Sequence, residues 1–160
     1  MKIKTTTEER EFLSESNKIE GEYSNRALED SIKSWEFIKP VKVDMRVDII
    51  KKIHRRVMRR LNPKIAGKFR KCKVFIGNHE CVDYKNILPL LESLCLVIPK
   101  NEKEIFDWHV EFERIHPFVD GNGRVGRIIM NFQRLRIGLN IIIIHSGKEQ
   151  NKYYKLFKKK

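Results

Sequence analysis

Val47, Ile50, Ile53, Val57 and Leu61 recur at steps of three and four, with lysines and arginines on the intervening positions. An apolar set with that period lies on one face of an α-helix and on no single face of a strand. The spacing returns in Ile105, Trp108, Phe112 and Ile115. Each stripe needs a partner surface, which amphipathic helices of one chain supply to one another. One stretch departs from the pattern. Lys68–Ile76 reads KFRKCKVFI and sets Phe69, Val74, Phe75 and Ile76 near Gly67 and Gly77, the signature of a short strand or hairpin. The chain of 160 residues therefore reads as one mostly helical domain, with a core large enough to fold alone.

Neither a repeat nor a linker divides the sequence. Residues 6–30 suggest a helix or two, and Pro40 breaks the segment carrying Trp35, Phe37 and Ile38. The stripe helix spans 44–61 and ends at Asn62-Pro63. Another helix is expected over 84–97. Asn101 is a good N-cap for one over 102–114, and a further one runs from about Asn122 to Ile137, stopped by Gly138. Ile141–Ile144 fits a buried strand or a buried connector equally well. Ser146 can cap a last helix carrying Tyr153, Tyr154 and Phe157.

Hydrophobic residues make up 41%, which argues against wholesale disorder. The longest unbroken apolar run is five residues, Leu94–Ile98, whereas a membrane span needs about 20. Met1–Leu13 is polar and shows no targeting pattern. Cys72, Cys81 and Cys95 are odd in number with no CxxC spacing, so a disulfide framework or structural zinc site is not expected and a reducing cytoplasm fits best. The net charge of +13 is uneven: residues 46–73 hold twelve Lys/Arg against Asp48, and 148–160 hold six Lys against Glu149. Such a stripe suits nucleic acid, an anionic nucleotide or an acidic protein, or is simply a solvated helix face.

Residues 116–127, HPFVDGNGRVGR, concentrate the chemistry. Pro117 stops the helix that ends at His116. Gly121, Asn122 and Gly123 sit where the next helix starts, and backbone N–H groups at such a turn make an anion nest. Arg124 and Arg127, three apart, suit a polyphosphate because guanidinium forks match phosphate oxygens. Asp120 offers a hard oxygen for Mg²⁺ carried on a nucleotide, and His116 a titratable base beside it. Gly121, Gly123 and Gly126 also satisfy GxGxxG. A dinucleotide fold, however, requires a buried strand before that pattern, and here a helix precedes it.

HPFVDGNGRVGR closely resembles the Fic family signature HxFx(D/E)GNGRxxR. All eight constrained positions match: His116, Phe118, Asp120, Gly121, Asn122, Gly123, Arg124 and Arg127. From average residue usage this arises by chance on the order of 10⁻⁹ per chain. Gly67-Lys68-Phe69-Arg70, followed by Lys73-Val74-Phe75-Ile76, is similar to the family's strand and flap. His109 and a closing tyrosine, Tyr153 or Tyr154, are further likenesses. The resemblance implies an all-α helical bundle with a small β-hairpin flap, over a core of 44–157. It implies protein adenylyltransferase activity, with AMP passing from ATP to a Ser, Thr or Tyr hydroxyl of a protein target. His116 would take the hydroxyl proton, and Asp120 would hold Mg²⁺. Gly121, Asn122 and Gly123 would bind phosphate oxygens, Arg124 and Arg127 would neutralise the β- and γ-phosphates, and Phe118 would anchor the loop. Lys73, Val74, Phe75 and Ile76 would dock the target by strand addition. Self-modification and homodimerisation are further implications. Gly123 separates the chain from the Doc-like phosphorylating branch, which carries Lys there.

Ser16-Asn17-Lys18-Ile19-Glu20-Gly21 is similar to the family's inhibitory motif [ST]xxxE[GN], on an N-terminal helix expected over about 10–30. Glu20 would pair with Arg127 and deny it to the γ-phosphate; the plain alternative is a solvated helical glutamate. His109 reads as a histidine packed behind the loop rather than a metal ligand with His116. Two further functions stand beside AMP transfer. One is removal of AMP with Glu20 activating water, which predicts loss of activity in Glu20→Gly. The other is a nucleic-acid-binding module using the 46–73 stripe, its Fic site idle.

Overall fold

The computed structural model describes residues 4–157. Met1–Ile3 and the last three lysines of the basic tail, Lys158–Lys160, lie outside them. Seven α-helices and one two-stranded hairpin follow in the order α1 (Thr7–Ile19), α2 (Asn25–Ile38), α3 (Val47–Met58), β1 (Phe75–Ile76), β2 (His79–Glu80), α4 (Ile87–Cys95), α5 (Glu102–Ile115), α6 (Asn122–Arg136) and α7 (Lys148–Phe157). This is the all-α class with a small hairpin that the periodicity and the resemblance predict.

The start signals work as their chemistry requires. Thr6 caps α1 through a reciprocal box with Glu9: Glu9 N–H donates to Thr6 Oγ1 at 3.2 Å and Thr6 N–H to Glu9 Oε2 at 2.8 Å. Asn101 Oδ1 accepts from Glu104 N–H at 3.0 Å. Residues 6–30, read as a helix or two, hold the whole of α1 and the start of α2, and the inhibitory helix expected over about 10–30 ends at Ile19. Lys18 and Asn17 carbonyls close the last turn at Glu20, and Gly21 takes φ +70°, a conformation that a side chain bearing a Cβ resists. The stripe helix is shorter at both ends than 44–61, and 84–97 divides into a 3₁₀ turn, Tyr84–Asn86, and α4. Ser146 does not cap α7 with its side chain; its N–H and hydroxyl both go to Glu15 on α1.

Helix α6 is the centre of the core, with twelve of its fifteen residues buried, six of them polar or charged. A buried polar group needs a partner. Asn131 meets this by bracketing Ile142, donating to its carbonyl at 3.0 Å and accepting from its N–H at 2.9 Å. Arg134 donates to Asn140 O at 2.7 Å and pairs with Glu102. These side chains hold Ile141–Ile144 as an extended connector, not a strand. Val57, Ile53 and Ile50 of α3 and Trp108, Phe112 and Ile115 of α5 join Val125, Ile128 and Ile129 of α6 in the core. Among the described residues no helix is long and apolar enough to cross a membrane.

Much of the basic stripe ties helices together. Arg60 and Arg59 reach buried Asp30 on α2 at 2.9 and 3.3 Å, and Arg56 stacks on Phe37 at 3.8 Å. Lys64, Lys68 and Lys71 are exposed and enter no ion pair among the described residues.

Candidate active site

The loop between α5 and α6 is held from below by groups far away in sequence. His116 caps α5 in the left-handed region at φ +49°, the one non-glycine residue there among the described residues. Such strain persists only where surroundings over-determine it, and Arg70 does this. Its guanidinium donates to His116 O at 2.7 Å, Val82 O at 2.6 Å, Cys72 O at 2.8 Å and Ile115 O at 3.3 Å. Its own N–H donates to Pro117 O at 3.0 Å. The His116 ring lies 3.3 Å through Nδ1 from Glu113 O. A carbonyl only accepts, so Nδ1 carries the hydrogen and Nε2 keeps the lone pair of the neutral ring. Burial, and then the Arg70 charge, press its pKa below the ordinary histidine value, so the base form prevails at neutral pH.

His54 supports the other side. Gly67 N–H donates to His54 Nδ1 at 2.9 Å, which makes Nε2 the donor to Asp120 O at 2.8 Å. Its ring stacks on Phe118 at 3.6 Å and 4°. Burial pushes its pKa down to about 4, and the neutral ring bridges two loops. Gly121 at φ +85° has no room for a side chain, since a Cβ would come within 2.9 Å of Met58 Sδ. Asn122 departs from expectation. Its Oδ1 accepts from Phe118 N–H at 2.9 Å and its Nδ2 donates to Phe118 O at 2.8 Å. The side chain closes the loop on itself, and only the backbone of Asn122 is left at the helix N-terminus.

Arg124 and Arg127 are both buried within the first two turns of α6. Arg124 leans on Met58 and stands 3.6 Å from Asp120 Oδ1, while its Nε and Nη1 have no partner among the described residues. Buried N–H groups of a cation left this way are fitted to an anion. Arg127 is occupied. Its Nε donates to Ser16 Oγ at 2.8 Å, and its Nη2 to Ser16 O at 3.0 Å and Glu20 Oε1 at 2.6 Å. Its side chain is 2% exposed and that of Glu20 28%. Glu20 also lies over Gly123, where a Cβ would collide with its Oε1. The geometry brings Ser16 and Glu20 to Arg127 and places Gly21 at the turn that directs Glu20 inward.

Asp120 is 62% exposed, with Oδ1 accepting from Gly121 N–H at 2.6 Å. Among the described residues no three His, Cys, Asp or Glu converge as a metal site. A single open carboxylate is a poor cage but fits Mg²⁺, which keeps waters and shares phosphate oxygens. The hairpin stands out from the body. Phe75 and Ile76 are exposed, Val74 is half-buried, and Lys73 pairs with Glu80 at 2.9 Å. The strands are shorter than 68–76 because Arg70 satisfies the carbonyls near the root in place of a ladder. His109 is the packed histidine expected, its Nε2 2.6 Å from Tyr153 OH. The sequence reading missed His54, Met58 and Glu113 as parts of the site. His54 alone had a usable signal, since it sits beside Ile53 and one turn after Ile50 on the apolar stripe.

The Fic/DOC family model matches residues 44–133. The chain is 32% identical over 126 residues to "Protein adenylyltransferase Fic" of Drosophila yakuba, covering 73% of this chain and 25% of that protein. Its Drosophila melanogaster counterpart is 31% identical over 131 residues, with the same coverage. The chain thus spans about a quarter of the length of the curated relatives it matches. A Fic-domain-containing signalling protein from Bacteroides thetaiotaomicron shares the fold with a TM-score of 0.78 at 21% identity, over 93% of this chain and 70% of that one. Fic-1 of C. elegans superposes with a TM-score of 0.74 at 20% identity, over 95% of this chain and 55% of that one.

Proposed function

Because the chain belongs to the Fic/DOC family, we propose that it transfers AMP from ATP to a hydroxyl of a protein substrate, and that Glu20 restrains this activity. The observation that carries the reading is the seat of Glu20. A carboxylate already rests over Gly123 against Arg127, in the place where the N-terminus of α6 and two buried arginines favour an anion. A nucleotide phosphate has the same needs and competes for it.

In this reading His116 Nε2 accepts the proton of the attacking Ser, Thr or Tyr hydroxyl as its oxygen bonds to the α-phosphorus and pyrophosphate departs. Arg124, with its unpartnered N–H groups, and Arg127 neutralise the triphosphate, and the α6 backbone at Gly121–Gly123 supplies further donors. Asp120 would hold Mg²⁺ on the nucleotide, which supplies charge neutralisation there. The exposed edge of Phe75 and Ile76 lays the target's backbone beside the site by strand addition. The likeness to protein adenylyltransferases of Drosophila supports the transferase class, and both the chain itself and a lysate serve as acceptors in the test.

Wild type, Glu20→Gly and His116→Ala are incubated with Mg²⁺ and ATP labelled at the α-phosphate. Strong labelling of protein by Glu20→Gly, weak labelling by wild type and none by His116→Ala is the expected result. Label appearing only from γ-labelled ATP would replace AMP transfer with phosphorylation.

A further inference from the structure

The cations of the basic stripe fall into two sets. Arg46 and Lys52 are answered by Asp48, Arg59 and Arg60 by Asp30 and Glu29, and Lys73 by Glu80. Lys51 lies over the Phe69 ring at 5.0 Å. Arg55, Lys64, Lys68 and Lys71 are exposed and enter no ion pair among the described residues.

The loop that follows α3 carries three of these four back toward the other. Asn62 N–H donates to Met58 O at 2.9 Å and Lys68 N–H to Ile65 O at 3.0 Å, so the chain turns on itself. Gly67, at φ +73°, lies against Arg55, whose Nε would stand 2.8 Å from a Cβ there. Gly67 N–H donates to His54 Nδ1 at 2.9 Å, and Arg70 N–H to Pro117 O at 3.0 Å. The backbone bearing Lys68 and Lys71 is thus pinned beside the loop of His116. Lys71 is four residues before Phe75, at most about 14 Å along the chain. Like charges on a fixed frame repel one another, and a partner that brings acids relieves them. The backbone, already ordered, loses little freedom when that partner arrives.

Resting on the transfer reading above, we propose that Arg55, Lys64, Lys68 and Lys71 form a docking surface for an acidic stretch of the protein substrate, next to the segment laid on the flap edge. Hydroxyls flanked by clustered Asp or Glu are then the preferred acceptors. A polypeptide suits this frame better than a nucleic acid. The Phe75–Ile76 edge offers backbone N–H and C=O groups, which pair with another polypeptide strand. Base stacking needs an open aromatic face. Phe69, the ring within the patch, is covered by Lys51 and packed against Phe118 at 5.6 Å.

The test uses the full chain and two fluorescent peptides, each with one serine beside a run of glutamates or a matched run of glutamines. Binding is followed by anisotropy. At low salt the glutamate peptide should bind about tenfold more tightly than the glutamine peptide, and the gap should narrow as salt rises. Combining Lys64→Gln, Lys68→Gln and Lys71→Gln should close most of the gap. Combining Lys33→Gln, Lys42→Gln and Lys100→Gln removes the same charge from exposed lysines on other elements and should leave it. In the Glu20→Gly background with α-labelled ATP, the glutamate peptide should show the lower KM at similar kcat, and the patch variant should lose that difference. Equal loss in the two triple variants would reduce the preference to net charge and overturn the proposal, as would equal binding of the two peptides. A DNA oligonucleotide that binds more tightly than the glutamate peptide, and loses this in the patch variant, would assign the surface to nucleic acid instead. Patch-dependent peptide binding with no label transferred upholds the surface and sinks the transferase reading. Label passed equally to both peptides does the reverse.

Discussion

Replacing Glu20 by Gly should raise transfer and lower stability together, because one contact serves both. Glu20 Oε1 lies 2.6 Å from Arg127 Nη2, the arginine is 2% exposed and the glutamate 28%. A hydrogen bond between charged groups at such a site contributes about 1.5–3 kcal/mol. Rest over the α6 N-terminus adds about 0.3–1 kcal/mol. Ser16 continues to hold Arg127 after the change, so the loss is not that of a bare buried charge. Taking about 2–3 kcal/mol in all, labelling at subsaturating ATP should rise about 30- to 150-fold at 1.36 kcal/mol per tenfold. The melting temperature should fall by about 4–12 °C for a chain of this size. ATP with Mg²⁺ should return part of that loss in the variant more than in wild type, since only the variant offers Arg127 to the ligand without a carboxylate across it. Glu20→Gln, which keeps the shape and the helix end, should lie between the two. The measurements are initial rates of α-label incorporation and thermal melts with and without nucleotide. Labelling no greater than wild type, with an unchanged melting temperature, would refute the reasoning.

His116→Asn should abolish labelling yet melt at or above the wild-type temperature, because Asn accepts the left-handed cap at φ +49° more readily than other residues. In the Glu20→Gly background, transfer should climb with pH through a histidine value depressed below the ordinary one and then level, since His116 sheds its proton early. His54, at about 4 in the fold, keeps its neutral form while the unfolded chain protonates, so stability is full above about 6.5 and should fall by about 3 kcal/mol as pH drops to 4; denaturant midpoints across that range, compared with His54→Gln, check it. Asn122→Ala should cost about 1–3 kcal/mol in denaturant melts, because Phe118 N–H and C=O lose their partner in a buried loop.

What could be read from the sequence was local. The apolar stripes of α3 and α5, the caps Asn101 and Gly138, the glycine-rich helix start and the Ser16–Glu20 spacing all lie within a few turns of one helix, so period and residue type reveal them. What stayed hidden depends on partners dozens of residues away. Asn122 looks like a phosphate ligand until Phe118 is seen to engage both its ends. Ile141–Ile144 looks as much like a strand as a connector until Asn131 brackets it. The carboxyl of Glu113 carries no pattern at all, because its place is set by the contact of two helices at Gly126.

The hairpin has a further consequence. Its tip, from Phe75 to Glu80, is exposed throughout, and among the described residues its one ion pair runs from Glu80 to Lys73 at the root. Its root is fixed by the Val74–Cys81 rung and by the fan of Arg70 bonds that also shapes the end of α5. In the proposed reading, recognition and chemistry are thus separate parts joined at one arginine. On that reading the tip is an interchangeable cassette: a foreign hairpin spliced between Val74 and Cys81 would change the surface offered to a partner while the Arg70 fan beneath it keeps its bonds.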